Sequence, residues 1–189
     1  MTARIPLLAL TLFLLAAAAR VPAATISWQP IDFGQTFSDS VRQDSSPDPG
    51  FWDYWSFSGN AGDIVTITVR REAGSMDPAF ALWDGLESDT TAYTSLDSDS
   101  ASHTWLGKGD DELTPAVPGP WGDARLTVTL AASGDYGVAV AEVGTGPASL
   151  PELGYNINLE RVVVPLPPSL ILLLSALSLL FVASRAGRR

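Results

Sequence analysis

The chain contains no cysteine and a single histidine, His103. The first absence removes disulfide staples and thiolate metal sites together. Whatever folds must therefore be held by an ordinary hydrophobic core. The second leaves too few ligands for zinc hydrolysis and no evident base for a nucleophile. A Gly-x-Ser-x-Gly elbow is missing too, and His103, within "SASHTWLG", reads as a solvated loop residue. Basic residues are scarce: 11 Lys and Arg stand against 21 Asp and Glu, for a net charge of −10 over 189 residues. Arg4, Arg20, Arg185, Arg188 and Arg189 lie at the two ends, whereas every acid lies between Asp32 and Glu160. The interior thus holds 6 basic and 21 acidic residues, net −15. Phosphate binding needs Lys and Arg to displace counterions, which excludes nucleic acid as a partner. A field of this sign draws cations instead.

The ends carry apolar runs that the interior does not. Arg4, the stretch "IPLLALTLFLLAAAA" and the small residues of "RVPAA" have the order of a secretory signal peptide covering 1–23, with cleavage expected after Ala23. The run is shorter than the ~20 residues of a spanning helix, which argues against a retained anchor. At the other end, Pro165, Pro167 and Pro168 interrupt any strand before an uncharged segment that is apolar on all sides. A transmembrane helix is expected over about 169–184, followed by Arg185, Arg188 and Arg189 as the cytoplasmic flank. That orientation leaves the interior domain outside the inner membrane.

This order of Pro-containing motif, short apolar helix and terminal arginines resembles the PEP-CTERM sorting signal of Gram-negative bacteria. "VPLP", comprising Val164, Pro165, Leu166 and Pro167, stands where that family has Val-Pro-Glu-Pro, so Leu166 replaces the usual glutamate. The resemblance implies processing by an exosortase, a membrane peptidase, with transfer to the cell surface or an extracellular polysaccharide matrix. Residues 164–189 would be the signal, and the anchoring in the inner membrane would be transient. A permanent anchor is the competing reading; a GPI-type tail does not normally end in arginines.

Between the ends, residues 24–163 alternate with period two in short runs bounded by Gly, Pro, Asp and Ser, and no amphipathic helix stands out. "DIVTITVRR" places Val65, Ile67 and Val69 on one face. "ARLTVTL" does so with Leu126, Val128 and Leu130, and "GDYGVAVAEV" with Tyr136, Val138 and Val140; the intervening "AASGD" suggests a hairpin. "GYNINLERV" turns Tyr155, Ile157 and Leu159 inward, and "IDFGQTFSDSV", "FWDYWSFSG" and "PAFALWDG" supply further strands. About seven strands or more, and no helix, predict an all-β fold: a single jelly-roll-like sandwich. Residues 87–122 lack sustained alternation and read as a long surface excursion.

"DYWSFSGNAGDIVTITVRR", "MDPAFALWDG", "GDDELTP" and "ARLTVTLAASGDYGVAV" follow one another as the blocks of the bacterial pre-peptidase C-terminal domain do. The interior is similar to that family at Asp53, Phe57, Gly62, Asp77, Pro78, Asp110, Asp111, Gly134 and Tyr136. The resemblance implies a jelly-roll-like sandwich found beside secreted enzymes and on surface proteins. The insertion between Asp84 and Asp110 is longer than the family's usual turn.

No catalytic constellation emerges, so the expected role is non-enzymatic. Among 21 acids some pair suited to glycoside hydrolysis is nearly guaranteed, which gives such a pair little weight. No cofactor is required, but calcium, which takes several oxygen ligands, is the cofactor this composition would suit. Asp110 and Asp111 in "GKGDDE" are the first candidates, with Asp77 and Asp84 bracketing the adjacent strand. Neither this segment nor "LDSDS" has the order of an EF-hand loop. Trp52 and Tyr54 fall on the opposite face from Trp55 and Phe57, so one pair should be outside if the other is inside. An exposed Trp52 and Tyr54 would offer a stacking surface for extracellular polysaccharide; burial of both faces would remove it.

Overall fold

The computed structural model describes residues 24–42, 48–144 and 152–162. The segment read as a signal peptide, the Val164–Pro167 motif, the expected C-terminal helix and the terminal arginines lie outside the described residues. No helix among the described residues is long and apolar enough to cross a membrane. These residues form β1 (Gln29–Pro30), β2 (Thr36–Val41), β3 (Asp53–Gly59), β4 (Ile64–Arg71), β5 (Pro78–Trp83), β6 (Trp105–Gly109), β7 (Ala124–Thr129), β8 (Gly134–Glu142) and β9 (Leu153–Val162). Two sheets result, in the orders β1-β3-β8-β5-β6 and β2-β9-β4-β7. The fold is an all-β sandwich.

Period two sets which side chains meet between the sheets. Val65, Ile67 and Val69 of β4 have no exposed surface, and Tyr155, Ile157 and Leu159 of β9 lie beside them. Trp55, Phe57, Phe80, Leu82, Val138 and Val140 complete the same cluster from the five-stranded sheet. Each such side chain contributes roughly 1.5–3 kcal/mol by leaving water. At the turn after β3, the Asp63 amide donates to the Asn60 carbonyl at 3.0 Å and Gly62 has φ +86°. A left-handed residue at that position of a four-residue turn favours glycine.

The hairpin expected at "AASGD" does not form. β7 pairs with β4, whereas β8 lies between β3 and β5 in the other sheet. The segment is an arch between sheets. Leu130 anchors its start by exchanging backbone hydrogen bonds with Gly62 and Asp63. Both strands send their apolar faces into one core, so their alternation matches that of a hairpin although their partners differ. The chain in fact changes sheet at every step except β5 to β6.

The 87–122 excursion is built into the sandwich. It contains a single 3-10 turn at Thr90–Ala92 and contributes β6 to the sheet edge. Its first half covers the outer face of the five-stranded sheet. Tyr93 and Leu96 are buried there against Trp52, Tyr54, Ala79, Ala81, Trp83, Ala139 and Ala141. Three indoles fasten it: Trp83 Nε1 donates to the Ser98 carbonyl at 2.9 Å, Trp105 Nε1 to Leu96 at 2.8 Å and Trp28 Nε1 to Glu87 at 2.8 Å. The Glu87 carboxylate accepts from Ser100 Oγ and the Ser102 amide, closing the loop on itself.

Arg71 continues the inward parity of Val65, Ile67 and Val69 and is buried with Asp123, both side chains having 0% exposure. Its Nε lies 3.5 Å from Asp123 Oδ1, and its Nη1 donates to the Met76 carbonyl at 2.9 Å. Asp123 also accepts from the Arg71 amide at 3.2 Å and the Ala116 amide at 2.7 Å. Removing one member strands the other charge in the interior. Asp123→Ala is expected to cost about 3–5 kcal/mol in urea denaturation. Arg71→Met added to it should cost much less than Arg71→Met alone, because the two changes share one interaction.

Candidate metal centre

The register of β5 against β6 builds the site. Phe80 lies opposite Gly109, so the residues leaving β6 run alongside those entering β5. Asp77, immediately before β5, thereby meets Asp110 and Asp111, immediately after β6. One carboxylate oxygen from each of the three lies within 4.8 Å of the others. Asp77 is 7% exposed, and its Oδ1 is buried without a hydrogen-bond partner.

The surrounding contacts mostly fix the backbone, and Lys108 offsets part of the charge at Asp110. Asp77 donates its amide to Glu142 Oε1 at 3.4 Å and accepts at its carbonyl from Val143 at 3.0 Å. Glu142 Oε1 also accepts from the Gly144 amide at 3.1 Å. A side chain at Gly144 would place its Cβ 2.6 Å from that oxygen and 3.1 Å from Asp77 Cβ, so the approach needs glycine. Asp111 Oδ1 accepts from the Gly122 amide. Glu112 Oε2 accepts from the amides of Asp110 at 2.7 Å and Arg125 at 2.8 Å, which holds the loop to β7. Lys108 Nζ stands 3.4 Å from Asp110 Oδ2 and 3.0 Å from Asp97 Oδ1.

Burial, with Asp111, Asp110 and Glu142 adding like charge, pushes the Asp77 carboxyl up to about 7, against the opposing pull of Arg71. Burial raises Asp110 as well, in spite of Lys108. Carboxylates held this close share a proton or a cation. The donors are all oxygens, which suits a hard divalent ion such as calcium. Bound there, the ion would be held by Asp77, Asp110 and Asp111.

Asp84 does not join them. It follows the far end of β5, roughly 23 Å away at ~3.3 Å per strand residue. Its Oδ1 accepts from the Thr104 amide at 2.6 Å and stands 4.0 Å from His103 Nδ1. His103 is therefore partly covered beside an acid rather than fully solvated. Asp99, from "LDSDS", is likewise used locally, accepting from the Trp105 amide at 2.8 Å. Trp52 and Tyr54 do lie opposite Trp55 and Phe57, but they are not a free surface. Each is 6% exposed beneath the excursion, with Tyr93 packed on both at ring-centroid distances of 6.2 and 5.7 Å. The covering loop removes them as a sugar platform.

The sequence reading missed Glu142 and Arg71. A parity signal was available for both: Glu142 continues Val138 and Val140, and Arg71 continues Val69, each placing a charge on an inward face.

No family model and no curated protein matches the chain. Solved structures do. CorA, a surface-associated copper-binding protein of Methylomicrobium album BG8, aligns over 73% of this chain and 99% of its own at 14% identity and a TM-score of 0.51. At that identity the likeness concerns the fold alone. The pre-peptidase C-terminal domain of collagenase from Bacillus anthracis aligns over 72% of this chain and 98% of its own, at 13% identity and a TM-score of 0.44. PliG of Aeromonas hydrophila, a periplasmic inhibitor of g-type lysozyme, covers 73% and 98%, at 14% and 0.46.

A carboxyl raised from 3.8 to about 7 binds a proton in the folded chain at pH values where the unfolded chain has lost it. Stability therefore falls as pH rises through that window. Asp53, raised to about 6 chiefly by burial in spite of its hydrogen bond from Tyr155, acts in the same sense. In EDTA, the urea midpoint should drop between about pH 4 and 7 and level off above that range. Asp77→Asn should remove the part of the drop that extends up to pH 7 and stabilise the protein at pH 8; a parallel curve for the variant would contradict this account of Asp77.

Proposed function

We propose that this chain is an exported, non-enzymatic β-sandwich that binds a calcium-like cation at Asp77, Asp110 and Asp111 and works at the envelope surface or in the extracellular matrix. The observation that carries the reading is Asp77 Oδ1, buried without a hydrogen-bond partner on a carboxylate grouped with two further acids. Calcium accepts six to eight oxygens, so these carboxylates would be completed by water or backbone oxygens. A copper role like that of CorA has weaker support here, because copper favours nitrogen and sulfur donors and the chain's single histidine lies beside Asp84. A glycosidase role has weak support as well. Asp77 is buried, and its carboxylate is grouped with two further acids rather than set across an open cleft from a single partner.

Export and surface delivery rest on the two ends of the sequence. The N-terminal segment has the order of a signal peptide, and the "VPLP", apolar and arginine order supports transient anchoring in the inner membrane and processing by an exosortase-like peptidase. Extracellular polysaccharide is then the natural surrounding.

Two measurements test the proposal. Millimolar calcium should raise the melting temperature of EDTA-treated protein by linkage, and Asp77→Asn should abolish the rise; no rise in the unaltered protein ends the calcium reading. The intact mass of protein recovered from native cells should end near Val164 to Pro168 in the surface or medium fraction. A mass retaining Arg189 in the membrane fraction would make the tail a permanent anchor.

A further inference from the structure

The outer face of the four-stranded sheet is not covered as that of the five-stranded sheet is. A groove of about 350 Å³ opens on it, lined by Thr36, Thr68, Arg70, Leu113, Arg125, Asn156, Asn158 and Glu160. Strand register explains its make-up. Thr36 of β2, Asn158 of β9, Thr68 of β4 and Arg125 of β7 form one row across the sheet. Ser38, Asn156 and Arg70 form the next. Four strands at ~4.8 Å spacing make each complete row about 14 Å long.

The charges here run against the rest of the molecule. The interior of the chain has six basic residues, and two of them converge on this groove. Arg70 is half exposed, with its Nη1 3.8 Å from Asp123 Oδ2. Arg125 is exposed, and its guanidinium has no hydrogen-bond or ion-pair partner among the described residues. A guanidinium presents a planar fork of donors matched to a carboxylate. Glu160 on the same face repels a bare anion but accepts hydrogen bonds from hydroxyls. Asn156 is engaged by Ser38 and Glu72, and Asn158 Nδ2 donates to the Gln35 carbonyl and Thr36 Oγ1. The neutral polar contacts therefore come from Asn158 Oδ1 and the Thr36 and Thr68 hydroxyls, with Leu113 as an apolar wall. Guanidinium forks suit a carboxylate or a phosphate alike, and the hydroxyl acceptor beside them is complementary to a hydroxyl-bearing sugar acid.

We infer that this groove binds a strand of carboxylate-bearing polysaccharide, with Arg70 and Arg125 taking the carboxylates and Glu160 taking sugar hydroxyls. The groove is open along the sheet, so a polymer enters without displacing a loop. The groove shares no residue with the acidic cluster, although Glu112 ties the Arg125 amide to the loop that carries Asp110 and Asp111.

The test is calorimetric titration of the EDTA-treated domain with oligogalacturonate of six or more residues at low salt. EDTA prevents calcium from bridging the polymer to Asp110 and Asp111. Binding is expected, weakening as salt rises, and falling at least about tenfold in Arg125→Gln, the loss of a charge-assisted contact. Arg125 is exposed, so the variant should fold. Thr68→Glu, which puts a carboxylate in the centre of the row, should also abolish binding, while Asp77→Asn should leave it unchanged. A neutral glucan of the same length should not bind. The inference is overturned by absent binding at millimolar oligomer, by equal binding of the neutral glucan, by unchanged binding in both groove variants, or by monomeric galacturonate binding as tightly as the oligomer.

Discussion

The Arg71 guanidinium has no exposed surface, and its ionic partner Asp123 has none either. Two charges taken out of water carry a desolvation cost that only close geometry and further hydrogen bonds offset. Here those bonds go to four places: the end of β4, the turn through Gly74 and Met76, the loop at Ala116 and the entry to β7. That junction connects the two sheets at one end of the sandwich. It also sets the local charge, because Arg71 is the cation that opposes the raised Asp77. That guanidinium is already engaged by Asp123, and Lys108 is shared between Asp97 and Asp110, so the cluster of Asp77, Asp110, Asp111 and Glu142 keeps a surplus of negative charge.

The aromatic layer has a different job. Trp83, Tyr93, Trp52 and Tyr54 form a second apolar cluster outside the main core. The Trp83 indole, with those of Trp105 and Trp28 packed beside the cluster, donates to excursion carbonyls, which gives the excursion a fixed path without a disulfide. The same path returns the chain into β6, and the end of β6 supplies Asp110 and Asp111. Covering one sheet face and assembling the acidic centre are thus consequences of one excursion, while the opposite sheet stays open with its threonines, asparagines and arginines toward solvent.

Facing was legible in the sequence; partnership was not. Alternation in β4 and β9 identified Val65, Ile67, Val69, Tyr155, Ile157 and Leu159 as one buried surface. It also separated Trp52 and Tyr54 from Trp55 and Phe57. Period two states which side a residue occupies, though, and carries no information on which strand it bonds, so an arch at 131–133 looked like a hairpin. Ala139 and Ala141 on the outer face of β8 are small residues that fit beneath a covering layer, but Tyr93 and Leu96 are isolated apolar positions in a polar segment and gave no period to follow. The grouping of Asp77 with Asp110 and Asp111 depends on the β5–β6 register, which sets two distant segments side by side. The length of β5 separates Asp84 from that group, and strand length alone could have excluded it.

β9 has a place that bears on how this chain comes to be folded at all. It is the last strand in sequence, yet it lies between β2 and β4 in the interior of its sheet. Until residues 153–162 are available, β2 has no sheet neighbour and β4 has only β7. Sheet alternation along the chain also leaves few local pairings to form early, a topology that folds slowly. A nascent chain therefore lacks the element that completes its core, and the position of one strand delays closure of the four-stranded sheet until residues 153–162 have been synthesised.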